Sequence, residues 1–452
     1  MDILLLFWMV IAALGAVSIY TFIGFIPGTD ETSVLLPISL ALVLTGVDPM
    51  IILSFFIAAI VTLNLTNTMP TALVGLPGGV MSSPMVEHAI VIKDIGKSSE
   101  IIKKMATASA FGVIISVPLS LMLANILTPF ADIIGPYTSY IFIGGAIFLS
   151  LMSKHKVSSL LSIIPLALLF QSLRSLYWQV GVVPENVNVT VSFFLGITVG
   201  PLLYSLFGLL RKDVYQQSLA NGYKNIIIPR GLDKKDNLNP RKILSKSEGK
   251  NASVGAFVSN FLFMLSPVGL TILIGNALGG RVEEKEERAT KSIVAMSAIV
   301  QATYLSGIII PLLALGIPLS PVAIGPGSAL FNAEPVFSLN NNIHHMLSFF
   351  EFSLATILGA GIAVIISYLL INRYARVITK FVMRYIPHES VLGLFVAFII
   401  LLAYMDAGFI NVFGVLLVGF VAGAFHKFGV NYGVQFMALY AAPYLATMLG
   451  GL

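Results

Sequence analysis

Asp30 and Glu31, in "GFIPGTDETSVLLP", are adjacent carboxylates that follow a Pro27–Gly28 break inside a long apolar run. Acids at such depth are costly and by default mark proton or cation coupling. The same position also suits a cap, with Thr29 or Asp30 closing the start of a helix near Thr32. A second stretch, "GLPGGVMSSP", supplies Gly75, Pro77, Gly78 and Gly79, whose backbone can approach a ligand closely. Ser82 and Ser83 add hydroxyls beside it, and "GIPLSP" offers Gly316, Pro318, Ser320 and Pro321 much later in the chain. Breaks of this kind expose helix ends, whose unpaired N–H groups attract anions. Polar side chains stand at helical positions nearby: Asn64, Thr66, Asn67 and Thr68 in "TLNLTNTMP", and Gln301, Thr303 and Ser306 in "QATYLSG". Their oxygens suit a hard cation such as Na⁺, and they equally suit contacts between packed helices. Asp30, Glu31, Asn64, Thr68, Gln301 and Thr303 are the candidates for ion coupling.

Other chemistry is excluded or unsupported. The chain has no cysteine, which removes disulfides, thiolate metal sites and a cysteine nucleophile. It has no GxxxxGK[ST] loop and no HExxH pair, which argues against ATP-driven transport by this chain alone and against a zinc hydrolase. His344 and His345 read as a loop feature rather than a metal site. Glu87, Glu334, Glu351 and Asp406 read as structural acids near interfaces and turns. No enzyme activity and no cofactor are expected, apart from Na⁺ as a coupling ion.

The elements that position these groups are membrane helices. Of 452 residues, 57% are hydrophobic and only 10% charged, against about 25% charged in a soluble domain. Many apolar runs reach or approach the ~20 residues that span a bilayer. The fold class is therefore an all-α polytopic membrane protein, with about 10–13 transmembrane helices, some of them broken or re-entrant. Among the expected passes are 3–26, 32–47, 49–67, 105–127, 253–278, 292–315 and 350–372. The formal charge of +5 does not point to nucleic acid, because residues 211–250 hold ten Lys/Arg against four Asp/Glu. Such a basic loop stays cytoplasmic and divides the chain into a first repeat at 1–210 and a second at 251–452.

Two pairs of Pro/Gly signatures support that division. Pro27 and Pro77 lie in the first half, and Pro267 ("LSPVGL") and Pro318 lie in the second, with nearly equal spacing. Lys93, Lys97, Lys103 and Lys104 follow Pro77, whereas no Lys or Arg follows Pro318 until Arg373. The two halves then point in opposite directions, as in secondary transporters built from inverted repeats. In this scheme "GGRVEEKEERATK", at 279–291, lies on the side opposite Lys93–Lys104.

The stretches "GFIPGTDETSVLLPISLALVLTGVDP", "PTALVGLPGGVMSSP" and "IIPLLALGIPLSPVA" resemble the TctA family, the large membrane subunit of tripartite tricarboxylate transporters. The resemblance runs with gaps over most of the chain, and "IIPLLALGIP" is its most specific piece. It implies a carrier for carboxylates driven by a cation gradient, in the cytoplasmic membrane of a prokaryote. It also implies a small membrane subunit and an extracytoplasmic solute-binding protein as partners, and leaves a homodimer open. By position, it places the substrate site at Pro27, Gly28 and Thr29, Gly75 to Gly79, Ser82, Ser83, Pro267 to Gly269 and Gly316 to Pro321. The acidic pair Asp30–Glu31 and the loop "SPVGL" depart from the family pattern. The leading expectation is a secondary transporter of organic anions coupled to Na⁺ or H⁺, with alternating access between the repeats. A flippase for a lipid-linked phosphate carrier is the alternative, since the same helix ends would accept a lipid phosphate.

Overall fold

A computed structural model describes residues 2–153, 155–184, 190–213, 216, 240–280, 284–334, 336–385 and 388–450. Most of the basic linker and residues 281–283 lie outside the described residues. With no water available in hydrocarbon, backbone groups must be paired locally, and helices do this within one segment. The described residues accordingly form helices, short helical turns and three isolated bridges.

The main helices are α1 (Ile3–Gly24), α2 (Glu31–Leu44), α3 (Pro49–Thr66), α4 (Thr68–Val74), α5 (Val86–Asp94), α6 (Ser98–Leu127), α7 (Thr138–Met152), α8 (Lys156–Val180) and α9 (Thr190–Gly208). After the linker come α10 (Lys246–Phe261), α11 (Pro267–Gly279), α12 (Lys285–Ala314), α13 (Phe349–Tyr385), α14 (His388–Lys427) and α15 (Tyr432–Met448). Seven spans among the described residues are long and apolar enough to cross a membrane. α14 is two helices rather than one, because Ala407 and Gly408 leave helical geometry in its middle. Asp406 stands at that turn and accepts hydrogen bonds from Ser192 and Asn411.

Side-chain hydrogen bonds fix the relative directions. α1 runs parallel to α3, with Ser54 donating to the Met9 carbonyl (3.2 Å) and Thr66 to the Tyr20 carbonyl (3.2 Å). α13 also runs parallel to α3, through Ser367 to Thr62 (3.2 Å) and Gly359 against Ser54. α6 and α12 run parallel, through Ser109 to Ser297 (3.2 Å), Ser116 to Ala302 (3.2 Å) and the Lys97–Glu286 ion pair. α10 follows the same direction, with Lys104 on Glu248 (2.8 Å) at one end and Ser120 on Asn260 (2.7 Å) at the other.

α11 reverses that direction. Asn251 near the start of α10 donates to the carbonyl of Leu278 near the end of α11 (2.7 Å), and Gly279 abuts Ser292 of α12. α10 and α11 are therefore the two arms of a re-entrant hairpin with its tip at Leu262–Ser266. This corrects the single pass expected over 253–278, and with it the placement of 279–291. The start of α12 lies at the same end as Lys97 and Lys104, not opposite them. The reason is local: Pro267 cannot continue the preceding helix, and Ser266 caps a new one through the Gly269 N–H (3.3 Å). Arms of 16 and 13 residues rise only about 24 and 20 Å, less than the ~30 Å of hydrocarbon.

The helices form two bundles. One holds α1, α3 to α6 and α10 to α13; the other holds α7 to α9, α14 and α15. α3 and α12 are the centre of the first: the apolar windows of Pro49–Val74 and Lys285–Ala314 are 89% and 100% buried. In the second, α9 and α14 meet on a seam of Gly196, Gly200, Gly419 and Gly423, and Phe142 of α7 stacks on Tyr440 of α15 at 4.8 Å. α2 lies between the bundles, packing on α3 as well as on α9 and α14. The short turns at Pro321–Ile324 and Ser328–Phe331 lie there too, the first against α15 and the second against α2.

Candidate functional site

The two Pro/Gly loops of the first half are a single structure. α1 ends beside Thr66, where Gly24 leaves no room for a side chain. The chain turns at Pro27 and pairs with the second loop: Gly28 N–H donates to the Pro77 carbonyl (3.0 Å) and Thr29 N–H to the Gly78 carbonyl (3.0 Å). The Thr29 hydroxyl donates to Gly78 as well (3.1 Å). Residues 75–79 double back along α4, held by Thr71, whose hydroxyl donates to Leu76 (3.2 Å) and accepts from the Gly78 N–H (3.4 Å). Glycine is required at both Gly78 and Gly79. A Cβ on the first would collide with the Asn67 carbonyl oxygen, and one on the second with the Glu31 carboxylate and the Asn67 amide.

The adjacent acids go in different directions. Asp30 caps α2, accepting from the Ser33 N–H (3.0 Å), and faces the second bundle, within electrostatic reach of His426 and Tyr432. Those two rings lie 4.9 Å apart, and the Tyr432 hydroxyl is 3.2 Å from that of Ser33. Glu31 faces the first bundle and is 2% exposed. It accepts from the N–H groups of Val80 (3.2 Å) and Met81 (3.1 Å) and from the Asn67 amide (3.3 Å). The helical end after the Pro77 loop is thus occupied by the chain's own carboxylate, which suits the positive end of a helix. Ser82 and Ser83 close the same turn, exchanging hydrogen bonds with Gly79.

The second-half loop is more deeply buried. Gly316 has φ +65°, a conformation that glycine adopts without strain. Asn342 ties the loop down, donating to the carbonyls of Gly316 (2.9 Å) and Phe331 (3.2 Å). His344 meets the Leu313 carbonyl at 2.8 Å. Pro318 is buried in this loop. Ser320 donates to Gly307 (2.5 Å) and caps the turn that begins at Pro321, accepting from Ala323 (3.0 Å). Beyond that turn Gly325 faces Thr32 of α2; a Cβ there would lie 3.4 Å from the Thr32 hydroxyl. The breaks of the two halves therefore meet between the bundles. Pro267 and Gly269 belong instead to the tip of the α10–α11 hairpin, which docks on α6 through Ser116 and Ser120, both donating to Asn260 (2.9 and 2.7 Å).

The polar helix residues divide by bonding. Thr68 donates back across the α3–α4 junction to the Leu65 carbonyl (2.7 Å), and Thr303 donates to Ile299 of its own helix (2.9 Å). Gln301 crosses from α12 to donate to the Val61 carbonyl of α3 (3.0 Å). Asn64 has neither amide end bonded. Among the contributors not singled out in the sequence are Thr32, Asn342, His426 and Tyr432. Asn342 sits in "NNNIHH", and only its position before a helical turn hinted at a cap. The other three carry no local signal, since their roles depend on segments hundreds of residues apart.

A family model, described as Tripartite tricarboxylate transporter TctA family, matches residues 9–434. The chain belongs to the TctA family. Membership makes it a component of a tripartite tricarboxylate transport system, a multi-pass membrane protein of a transporter family. Such systems include a small membrane subunit and a solute-binding protein. No curated protein and no solved structure matches this TctA-family chain.

Proposed function

We propose that the chain moves an organic anion of the carboxylate type across the cytoplasmic membrane of a prokaryote, coupled to Na⁺ or H⁺. The observation that carries this reading is the meeting of the two breaks at Thr32 and Gly325, between two helix bundles. Irregular backbone at membrane depth is tolerated where it is buried in protein or lines a wet cavity, and transporter sites are built from discontinuous helices near the midplane. Movement of one bundle against the other would then expose the breaks to each side in turn.

Opposed directions favour two inverted repeats. α1, α2 and α3 alternate in direction between the two ends, and α10, α11 and α12 alternate in the opposite sense. α12 runs away from the end that carries Lys97 and Lys104. α3 continues through α4 toward that end, where Lys93 meets the Val74 carbonyl (2.8 Å). That basic end is the cytoplasmic one by the positive-inside rule.

Each break carries a cap of its own at the helix start that follows it: Asp30, Glu31, Ser266 and Ser320. Substrate carboxylates would therefore compete for groups already bonded within the protein, such as the exposed Ser83 hydroxyl, which donates to Gly79 (3.2 Å) and can rotate to another acceptor. Proteoliposomes reconstituted with the chain and its partner subunits test the reading with a panel of di- and tricarboxylates under imposed Na⁺ and pH gradients. Gradient-driven uptake of at least one carboxylate is expected. Its absence across the panel removes the proposal.

A further inference from the structure

Three buried amides line the crossing of α3 and α12. Gln301 (0% exposed) donates to the Val61 carbonyl, Asn67 (1%) donates to Glu31, and Asn64 (2%) stands between them on α3. Val61, Asn64 and Asn67 follow one another at three-residue spacing, so successive members adjoin along a strip that winds around the helix. Because the amide nitrogens of Gln301 and Asn67 are bonded to acceptors, their orientation is set, and the atoms left over are oxygens. Gln301 Oε1, Asn67 Oδ1 and both ends of Asn64 have no hydrogen-bond partner in the protein. Several buried hydroxyls share that condition, but a hydroxyl can rotate to another acceptor; the amide oxygens of Asn332, Asn372, Asn411 and Gln435 share it too, each on a different segment of the chain. Unpaired buried oxygens are expensive, and here three amides present them along one strip that ends at a carboxylate.

We propose that Gln301, Asn64 and Asn67, with Glu31 behind them, form a site for a monovalent alkali cation, with Na⁺ as the probe ion. Amide and carboxylate oxygens are ligands for hard cations, and no sulfur or imidazole ligand belongs to the strip. One carboxylate balances one positive charge; the neighbouring carboxylate, Asp30, is engaged as the cap of α2. Glu31 also holds the N–H groups of Val80 and Met81, so a bound cation would be tied directly to the Pro77 loop. The use of this site in transport rests on the function proposed above; the binding itself does not.

The test is Na⁺ binding by the purified full-length chain, read as ²²Na⁺ uptake at equilibrium and as unfolding temperature when choline chloride is replaced by NaCl at constant ionic strength. The wild type is expected to bind saturably and to gain stability with Na⁺. Asn64→Leu removes a side chain that bonds nothing in the protein. It should be at least as stable as the wild type in choline, yet bind Na⁺ roughly tenfold or more weakly. Thr198→Val, in the second bundle and outside the site, should keep the full response. If Asn64→Leu does not yield folded protein, Glu31→Gln keeps the shape, lowers the charge and should show the same loss. A wild type indifferent to Na⁺, or a folded Asn64→Leu or Glu31→Gln chain with wild-type binding, overturns the site. Na⁺ binding with the expected variant pattern but no carboxylate uptake leaves the site standing and removes the transport reading. Uptake driven by pH gradients with no Na⁺ binding does the reverse.

Discussion

At the scale of single residues, the acidic pair carries the clearest consequences. Asp30 and Glu31 are neighbours in sequence, yet one caps α2 on the side of the second bundle and the other holds the Pro77 loop in the first. Glu31→Ala leaves the Val80 and Met81 N–H groups and the Asn67 amide without their acceptor, which should cost about 1–3 kcal/mol. Asp30→Asn keeps a good cap and should change stability by under about 0.5 kcal/mol. Thermal unfolding of the two variants in detergent checks the contrast, and equal losses would sink it. Gly78→Ala should destabilise by about 1–3 kcal/mol or more, because the Asn67 carbonyl occupies the space for its Cβ. A normal melting curve for that variant would mean the loop packs differently.

At the scale of elements, the α10–α11 hairpin changes the path of the second half. Hydropathy registers apolar residues over 253–278, and it cannot tell one pass from two short arms that turn back. Asn251 on Leu278 and Glu286 on Lys97 decide the matter through contacts between distant segments. The chain has no cysteine, so single cysteines report sidedness cleanly. Lys246→Cys and Lys285→Cys should react with a membrane-impermeant maleimide from the same face of oriented vesicles, and Phe349→Cys from the other. Reaction of positions 246 and 285 from opposite faces would rule out the hairpin. The same logic separates the parts of the site that were legible from those that were not. The breaks at Pro27, Pro77, Pro267 and Pro318 announce themselves, because proline and glycine act on their own backbone. Thr32, His426 and Tyr432 act across 100 residues or more, and no local pattern encodes that.

At the scale of the whole molecule, α2 and the Pro321–Ile324 turn are the material through which the two bundles meet. In the proposed cycle, relative motion of the bundles would alter the approach of Thr32 to Gly325. A Thr32→Cys, Gly325→Cys double variant should form a disulfide under oxidation, since a Cβ at 325 lies within 3.4–3.7 Å of Thr32 side-chain atoms. Oxidised proteoliposomes should lose most carboxylate uptake and recover it with reductant. Full activity of the cross-linked chain would show that these breaks stay together throughout the cycle.

The sequence by itself determined the membrane class, the helical fold, the family and the positions of the breaks. Each of these rests on composition, on runs of apolar residues or on residues that constrain their own backbone. Only the tertiary structure decided that the Pro27 and Pro77 loops pair, that Glu31 occupies the helix end after the Pro77 loop, and that the start of α12 lies at the basic end. The physical reason is common to all three. A hydrogen bond or ion pair between segments far apart depends on where packing brings them, and local sequence records what a segment can offer without recording what it will meet.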